Sequence, residues 1–218
     1  MKKKYKAIVF DMDGTLVDSE HLHIGAWFKM FQEFGITMSH EELMQYVGVS
    51  DVNICKDLTT RFSLTYSAEE ILDQKRYYYR HHEQKNVKLI AGVEDGLQNL
   101  NPNLPMAVAT MSSKYEAEKS LDYTGIRKYF LEVVTADDVS RHKPDPECYL
   151  MACAAIGMRP EDCIAIEDSV SGVHAAKNAG LYTIGIANTV HSSEILHADL
   201  VLKDSIAVFK TISTMLEV

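Results

Sequence analysis

The chain has 218 residues, 46% hydrophobic and 24% charged, with 22 Lys and Arg against 31 Asp and Glu for a formal net charge of −9. That length can bury a full core, as one large domain or two unequal ones, and the acidic balance excludes nucleic acid and anionic membrane surfaces, which require a basic face. No apolar stretch approaches the ~18 residues that span a bilayer, and Cys55, Cys148, Cys153 and Cys163 form no zinc spacing and suit a reducing compartment, so a soluble cytoplasmic protein is expected.

In chain order, Lys6–Phe10 reads as the first strand, a short apolar run that empties into Asp11 and Asp13. Two carboxylates two positions apart repel one another and resist a low-dielectric surrounding, so something must compensate them. The next block breaks the strand rhythm. Leu22, Ala26, Trp27, Met30, Phe31 and Phe34 mark an amphipathic helix stopped by Gly35. Ser39 with Glu42 and Ser67 with Glu70 form two capping boxes, and Ile54, Leu58 and Phe62 keep the helical period between them. Residues 18–85 therefore read as a small all-helical insertion, in a core made of residues 1–17 and 86–218.

Beyond the insertion, strands are expected over Met106–Thr110, Glu132–Thr135, Cys163–Glu167, Tyr182–Ile186 and Leu200–Leu202. Their lack of clean alternation suits strands buried on both faces of a parallel sheet. Helices fall between them: Ser113 with Glu116 opens one that Gly125 stops, and Pro144 and Pro146 precede "ECYLMACAAIG". The closing segment 205–218 places Ile206, Phe209, Ile212 and Leu216 on one helical face. The expected fold is α/β, a doubly wound parallel sheet core with an inserted helical cap.

Ligands of such a sheet bind at the carboxyl ends of its strands. Here those ends carry Asp11 and Asp13; Thr110 with Ser112 and a helix start; Lys143 in "RHKPDP"; and Glu167-Asp168 with another helix start. Acids, hydroxyls, helix N-termini and a lysine suit a phosphate and a hard divalent cation together. A lone D-x-D, a lone lysine before proline or a lone "EDS" is as often a turn, a surface side chain or a helix cap. Four such features in succession at strand ends are not.

The segments "DMDGTLVDSE", "ATMSS", "KPDP" and "IEDSVSG" resemble the four motifs of the haloacid dehalogenase-like superfamily, in its branch with a helical cap after the first strand. The likeness spans essentially the whole chain and is greatest to phosphatases and β-phosphoglucomutases. It implies that Asp11 is the nucleophile and Asp13 the general acid/base. Mg²⁺ would be bound by the Asp11 carboxylate, the Asp13 main-chain carbonyl and Asp168, with Glu167 nearby or ligating. Thr110, Ser112 and Lys143 would hold the phosphoryl group, Lys143 also offsetting charge on Asp11.

The function expected is hydrolysis of a small phosphorylated metabolite, a sugar phosphate by preference, through an aspartyl phosphate. The alternative is a phosphohexomutase, which passes the phosphoryl group to a sugar hydroxyl. His23 stands at the spacing where the mutases carry a histidine, yet their arginine after "GVS" is replaced here by Asp51 after Gly48-Val49-Ser50. A receiver-like phospho-aspartate signalling domain is disfavoured, having no use for Asp13 or a cap. Trp27 is expected in the cap core, and His21, His81 and His82 on the surface. The expected partner is a small phosphorylated metabolite; a monomer is compatible with the sequence, which carries no code for oligomeric state.

Overall fold

The computed structural model describes residues 4–46, 51–187 and 195–216. Strand β1 (Ala7–Phe10) has every residue buried, as an apolar run flanked on both faces must. A two-residue strand β2 (Val17–Asp18) pairs antiparallel with β3 (Lys88–Leu89), with Val17 opposite Leu89 and Asp18 opposite Lys88. Between them lie α1 (Glu20–Glu33), α2 (His40–Met44), α3 (Asp51–Arg61) and α4 (Ala68–Tyr78), followed by a π turn over Tyr79–Glu83. The chain divides into two compact units, Ser19–Val87 and the remainder.

In the smaller unit, Ser39 and Ser67 each make a full capping box, with Glu42 and Glu70 respectively. Each box satisfies two N–H groups that the first helical turn leaves without intrahelical partners. Leu22, Ala26, Trp27, Met30 and Phe31 form the buried face of α1, and Ile54, Leu58 and Ile71 extend that core. His21, His81 and His82 are exposed.

The larger unit adds α5 (Val93–Gln98), β4 (Met106–Ala109), α6 (Lys114–Tyr123), β5 (Glu132–Val134) and α7 (Glu147–Ala155). It continues with β6 (Cys163–Glu167), α8 (Val170–Ala179), β7 (Tyr182–Ile186), β8 (Leu200–Leu202) and α9 (Ser205–Ile212). Its six-stranded sheet runs β5-β4-β1-β6-β7-β8, with every neighbouring pair parallel. The order reverses between β1 and β6, the switch point where doubly wound sheets open a crevice at their carboxyl ends.

Side chains alternate across β1. Ala7 and Val9 pack with Tyr149, Ala152, Cys153 and Ala176, while Phe10 meets Phe130 and Phe209 on the opposite face. Burying Phe10 contributes roughly 1.5–3 kcal/mol. The closing segment keeps most of its expected face, with Ile212 and Leu216 buried and Phe209 against Phe10, but Ser205 and Val208 are buried too and Ile206 is 61% exposed. The i, i+3, i+7 stripe that starts one residue earlier leaves Ile206 off the core side, where it covers Gly92.

Candidate active site

Asp11 lies one residue past β1, and its N–H donates to Ile166 O at 2.9 Å, so sheet geometry still controls its backbone. Its nearly buried carboxylate accepts from Lys143 Nζ at 2.7 Å. On the other side of the switch, β6 ends in Glu167, and Asp168 follows. Asp11, Glu167 and Asp168 are all buried, and each offers an oxygen within 4.8 Å of the others.

Lys143 threads into this cluster. Its ammonium donates to Asp11 Oδ1 at 2.7 Å, Glu167 Oε1 at 2.6 Å and Ala109 O at 3.0 Å, which uses all three of its N–H groups. Burial alone would lower its pKa; the charges of Asp11 and Glu167 more than offset that and hold it above the usual lysine range. Burial pushes the Asp11 carboxyl well up, Glu167 and Asp168 push it further, and Lys143 pulls against them.

Asp13 points elsewhere. Its Oδ2 accepts from Ser112 Oγ at 2.7 Å and Thr110 Oγ1 at 3.3 Å, and Thr110 Oγ1 in turn accepts from Ser112 N at 3.0 Å. Gly14 follows with a φ of 83°, in the left-handed region where glycine carries no steric penalty. The two aspartates thus occupy different surroundings, one against an ammonium among acids and one against two hydroxyls.

A hard cation suits the acids. Three carboxylates and one ammonium leave an excess of negative charge, and a like-charged pair 4.8 Å apart repels by about 3–4 kcal/mol at an effective dielectric of 20. The donors are all oxygen, the set taken by Mg²⁺ or Ca²⁺ and not by the softer transition metals. These residues could hold a divalent metal ion. Within the set, Glu167 is engaged at both of its oxygens. Besides Lys143, its Oε1 accepts from Tyr149 Oη at 3.1 Å, and its Oε2 accepts from Ser169 N and Oγ, each at 2.9 Å.

His23 lies in the helical unit and has its own partners there. Lys75 Nζ is 2.9 Å from its Nδ1, and Tyr79 stacks on it with ring centroids 4.1 Å apart. Burial and the Lys75 charge push its pKa well down, so the imidazole is neutral, with Nδ1 accepting and the proton on Nε2. Lys75 also donates to Asp51 Oδ2 at 2.7 Å, and Trp27 Nε1 donates to Asp51 Oδ1 at 3.3 Å. Gly48-Val49-Ser50 lie outside the described residues.

The sequence matches the haloacid dehalogenase-like hydrolase family over residues 8–186. The protein belongs to that family. Among its relatives, a validoxylamine A 7'-phosphate phosphatase of Streptomyces hygroscopicus subsp. limoneus is 32% identical over 201 residues, covering 92% of this chain and 94% of that protein. A β-phosphoglucomutase of Bacillus subtilis is 28% identical over 209 residues, covering 92% and 90%. The crystal structure of CbbY from Rhodobacter sphaeroides in complex with phosphate superposes with a TM-score of 0.81 at 26% identity, over 94% of this chain and 96% of that one.

Three residues of this family member's site escaped the motif reading. Thr15 Oγ1 donates to Asp168 Oδ1 at 3.2 Å; a hydroxyl two positions after Asp13 was the available hint. Tyr149 looked like part of an apolar helix, since a tyrosine there reads as packing. Gly172 leaves room for the Glu167 carboxylate, because a Cβ at that position would lie 1.6 Å from Oε1, a contact invisible without the fold.

Proposed function

We propose that the protein is a Mg²⁺-dependent phosphatase of a small phosphorylated metabolite, of sugar-phosphate type, working through an aspartyl phosphate on Asp11. The observation that carries this reading is the division of labour between two aspartates two residues apart. Asp11 is held against the Lys143 ammonium at 2.7 Å, while the Asp13 carboxylate is turned onto the Ser112 and Thr110 hydroxyls. An oriented carboxylate beside a cation suits a nucleophile, and a second, separately held carboxyl suits a proton carrier.

Asp11 attacks phosphorus as the ester P–O bond breaks, and Asp13 gives its proton to the departing alkoxide. Asp13 then takes a proton from the water that attacks the aspartyl phosphate, which frees Asp11 and inorganic phosphate. Lys143 orients the Asp11 carboxylate and favours its anionic form for the attack, and the hydroxyls of Thr110 and Ser112 are the donors at hand for phosphoryl oxygens. Asp11, Asp168 and the Asp13 main-chain carbonyl would hold the Mg²⁺, which when bound supplies positive charge to the acids and the phosphoryl oxygens. The kinship with a phosphatase that acts on a 7'-phosphate supports the substrate class.

A mutase is the second reading, favoured by the β-phosphoglucomutase relative and by His23. A mutase must hold a second phosphate, for which Lys75, Arg76 and Arg80 are candidate cations of the helical unit, and of these Lys75 already carries Asp51 at 2.7 Å. That pairing favours hydrolysis.

The test is a panel of phosphorylated metabolites assayed with Mg²⁺ and with chelator, following phosphate release and isomer formation together. Phosphate release that stops in chelator, with no phosphoenzyme in Asp11→Asn and a loss on the order of 10⁴-fold or more, is expected. β-Glucose 1-phosphate with catalytic glucose 1,6-bisphosphate, followed by phosphorus NMR, should give phosphate or nothing. Accumulation of glucose 6-phosphate without phosphate release would replace the phosphatase by the mutase.

A further inference from the structure

Glu167 is tightly bound into the fold. Its four hydrogen bonds, two at each oxygen, match the lone-pair sites of a carboxylate. The first turn of α8 closes over it: a Cβ on Gly172 would lie 1.6 Å from Oε1 and 1.9 Å from Cδ. A carboxylate so enclosed is built to hold its donors in place. Two of those donors meet at Oε1, the Lys143 ammonium at 2.6 Å and the Tyr149 hydroxyl at 3.1 Å. The same tyrosine presents its ring to the ammonium, with Nζ 5.0 Å from the centroid, a distance at which the negative ring face attracts a cation.

We propose that Tyr149 is a positioning residue of the active site, acting through Glu167 to hold the Lys143 ammonium against Asp11. The inference rests on the phosphatase reading above. Packing alone does not require the hydroxyl: Tyr149 is fully buried among Val9, Ala152 and Cys153, where phenylalanine would fill the same space. A buried hydroxyl needs a partner, and this one has chosen the oxygen that Lys143 uses. By donating there it shares the charge of Oε1, so that Glu167 and Asp11 compete evenly for the ammonium. Without it Lys143 becomes the sole donor at Oε1 and is drawn toward Glu167, away from the nucleophile.

Tyr149→Phe keeps the ring and removes the hydroxyl. With p-nitrophenyl phosphate and Mg²⁺, the rate of phosphoenzyme formation in a single turnover should fall about tenfold, the size of a lost hydrogen bond to a charged group. Mg²⁺ affinity, by titration calorimetry, should stay within twofold. A double-mutant cycle with Glu167→Gln separates positioning from packing: if Tyr149 acts through Glu167, its loss costs nothing further in that background, whereas a packing effect adds in full. Glu167→Asp withdraws the carboxylate by a methylene and closes the same cycle should Glu167→Gln fail to fold. An active wild type with Tyr149→Phe at the wild-type rate, or with additive losses, overturns the inference alone. A wild type that turns over no phosphomonoester overturns the phosphatase reading and the inference with it.

Discussion

Two lysine side chains are almost entirely withdrawn from water, and what surrounds them differs in a way that separates chemistry from architecture. Lys143 is 4% exposed and lies between the side chains of Asp11 and Glu167, 10% and 0% exposed. Lys75 is 3% exposed and carries Asp51, whose side chain is 37% exposed. Both ammonium groups also face aromatic rings, Tyr149 for Lys143 and Trp27 with Tyr79 for Lys75. The Lys75 group is neutral as it stands, one cation against one anion and one neutral imidazole. The Lys143 group has two anions on the lysine and a third, Asp168, in the same cluster. A neutral buried group is complete. One with negative charge left over could hold a further cation.

The largest effect that should sharpen this contrast is on Lys143→Met. Removing one partner of a buried ion pair costs about 3–5 kcal/mol, which lowers the melting temperature of a chain this size by roughly 6–20 °C. Added Mg²⁺ should recover more of that loss in the variant than it adds to the wild type, because it replaces the missing charge. Calorimetric melts with and without Mg²⁺ are the check; a variant that melts like the wild type would show that the acids are not in need of a cation.

Lys75→Met should cost less, about 1–2 kcal/mol, because Asp51 keeps its access to water and the methionine stem still lies against Trp27 and Tyr79. Urea unfolding of the two variants side by side decides the matter. Equal losses would erase the distinction between the lysines.

The smallest effect belongs to His23. Its folded pKa lies well below the ordinary histidine value, through burial and the Lys75 charge, so the unfolded chain takes up the proton first as pH falls. The stability that depends on neutral His23 is therefore complete above about pH 6.5 and declines below it, until the folded pKa is reached, by less than about 1.4 kcal/mol per pH unit. The facing charged groups are Lys75 and, through it, Asp51. His23→Phe keeps the stack on Tyr79 and removes the titrating nitrogen, so melts at pH 7.5 and 5.5 should show a shallower decline in the variant. Parallel declines would mean that another group carries the acid sensitivity.

The strands were readable because each is a short apolar run buried on both faces, and a parallel sheet places the residues that follow its strands along one edge. Asp11, Glu167, Asp168 and Lys143 could be brought together by that rule alone. Their supports could not. Tyr149 reads as one apolar residue among several on α7, and its hydroxyl gains a role only because β6 ends beside it. Gly172 reads as a weak helix residue, and Lys75 as one of several cations of the insertion with Arg76 and Arg80, since neither burial nor close approach leaves a period in the sequence. The two-residue strands β2 and β3 are likewise too short to show alternation. Ile206 was set on a buried face by extending the stripe of Phe209, Ile212 and Leu216 back by one turn, where Ser205 and Val208 take the core side instead.

Those two short strands have a consequence for how such a protein can change. Because Val17–Asp18 pairs with Lys88–Leu89, the chain leaves the larger unit and returns to it at a single ribbon. Everything from Ser19 to Val87 hangs from that ribbon as a cassette. The closure entropy of such a loop grows only with the logarithm of its length, so a longer, shorter or different cassette would cost the sheet little. Natural variation can therefore exchange the helical unit of such a molecule wholesale, while the residues gathered at the strand ends inherit their positions unchanged.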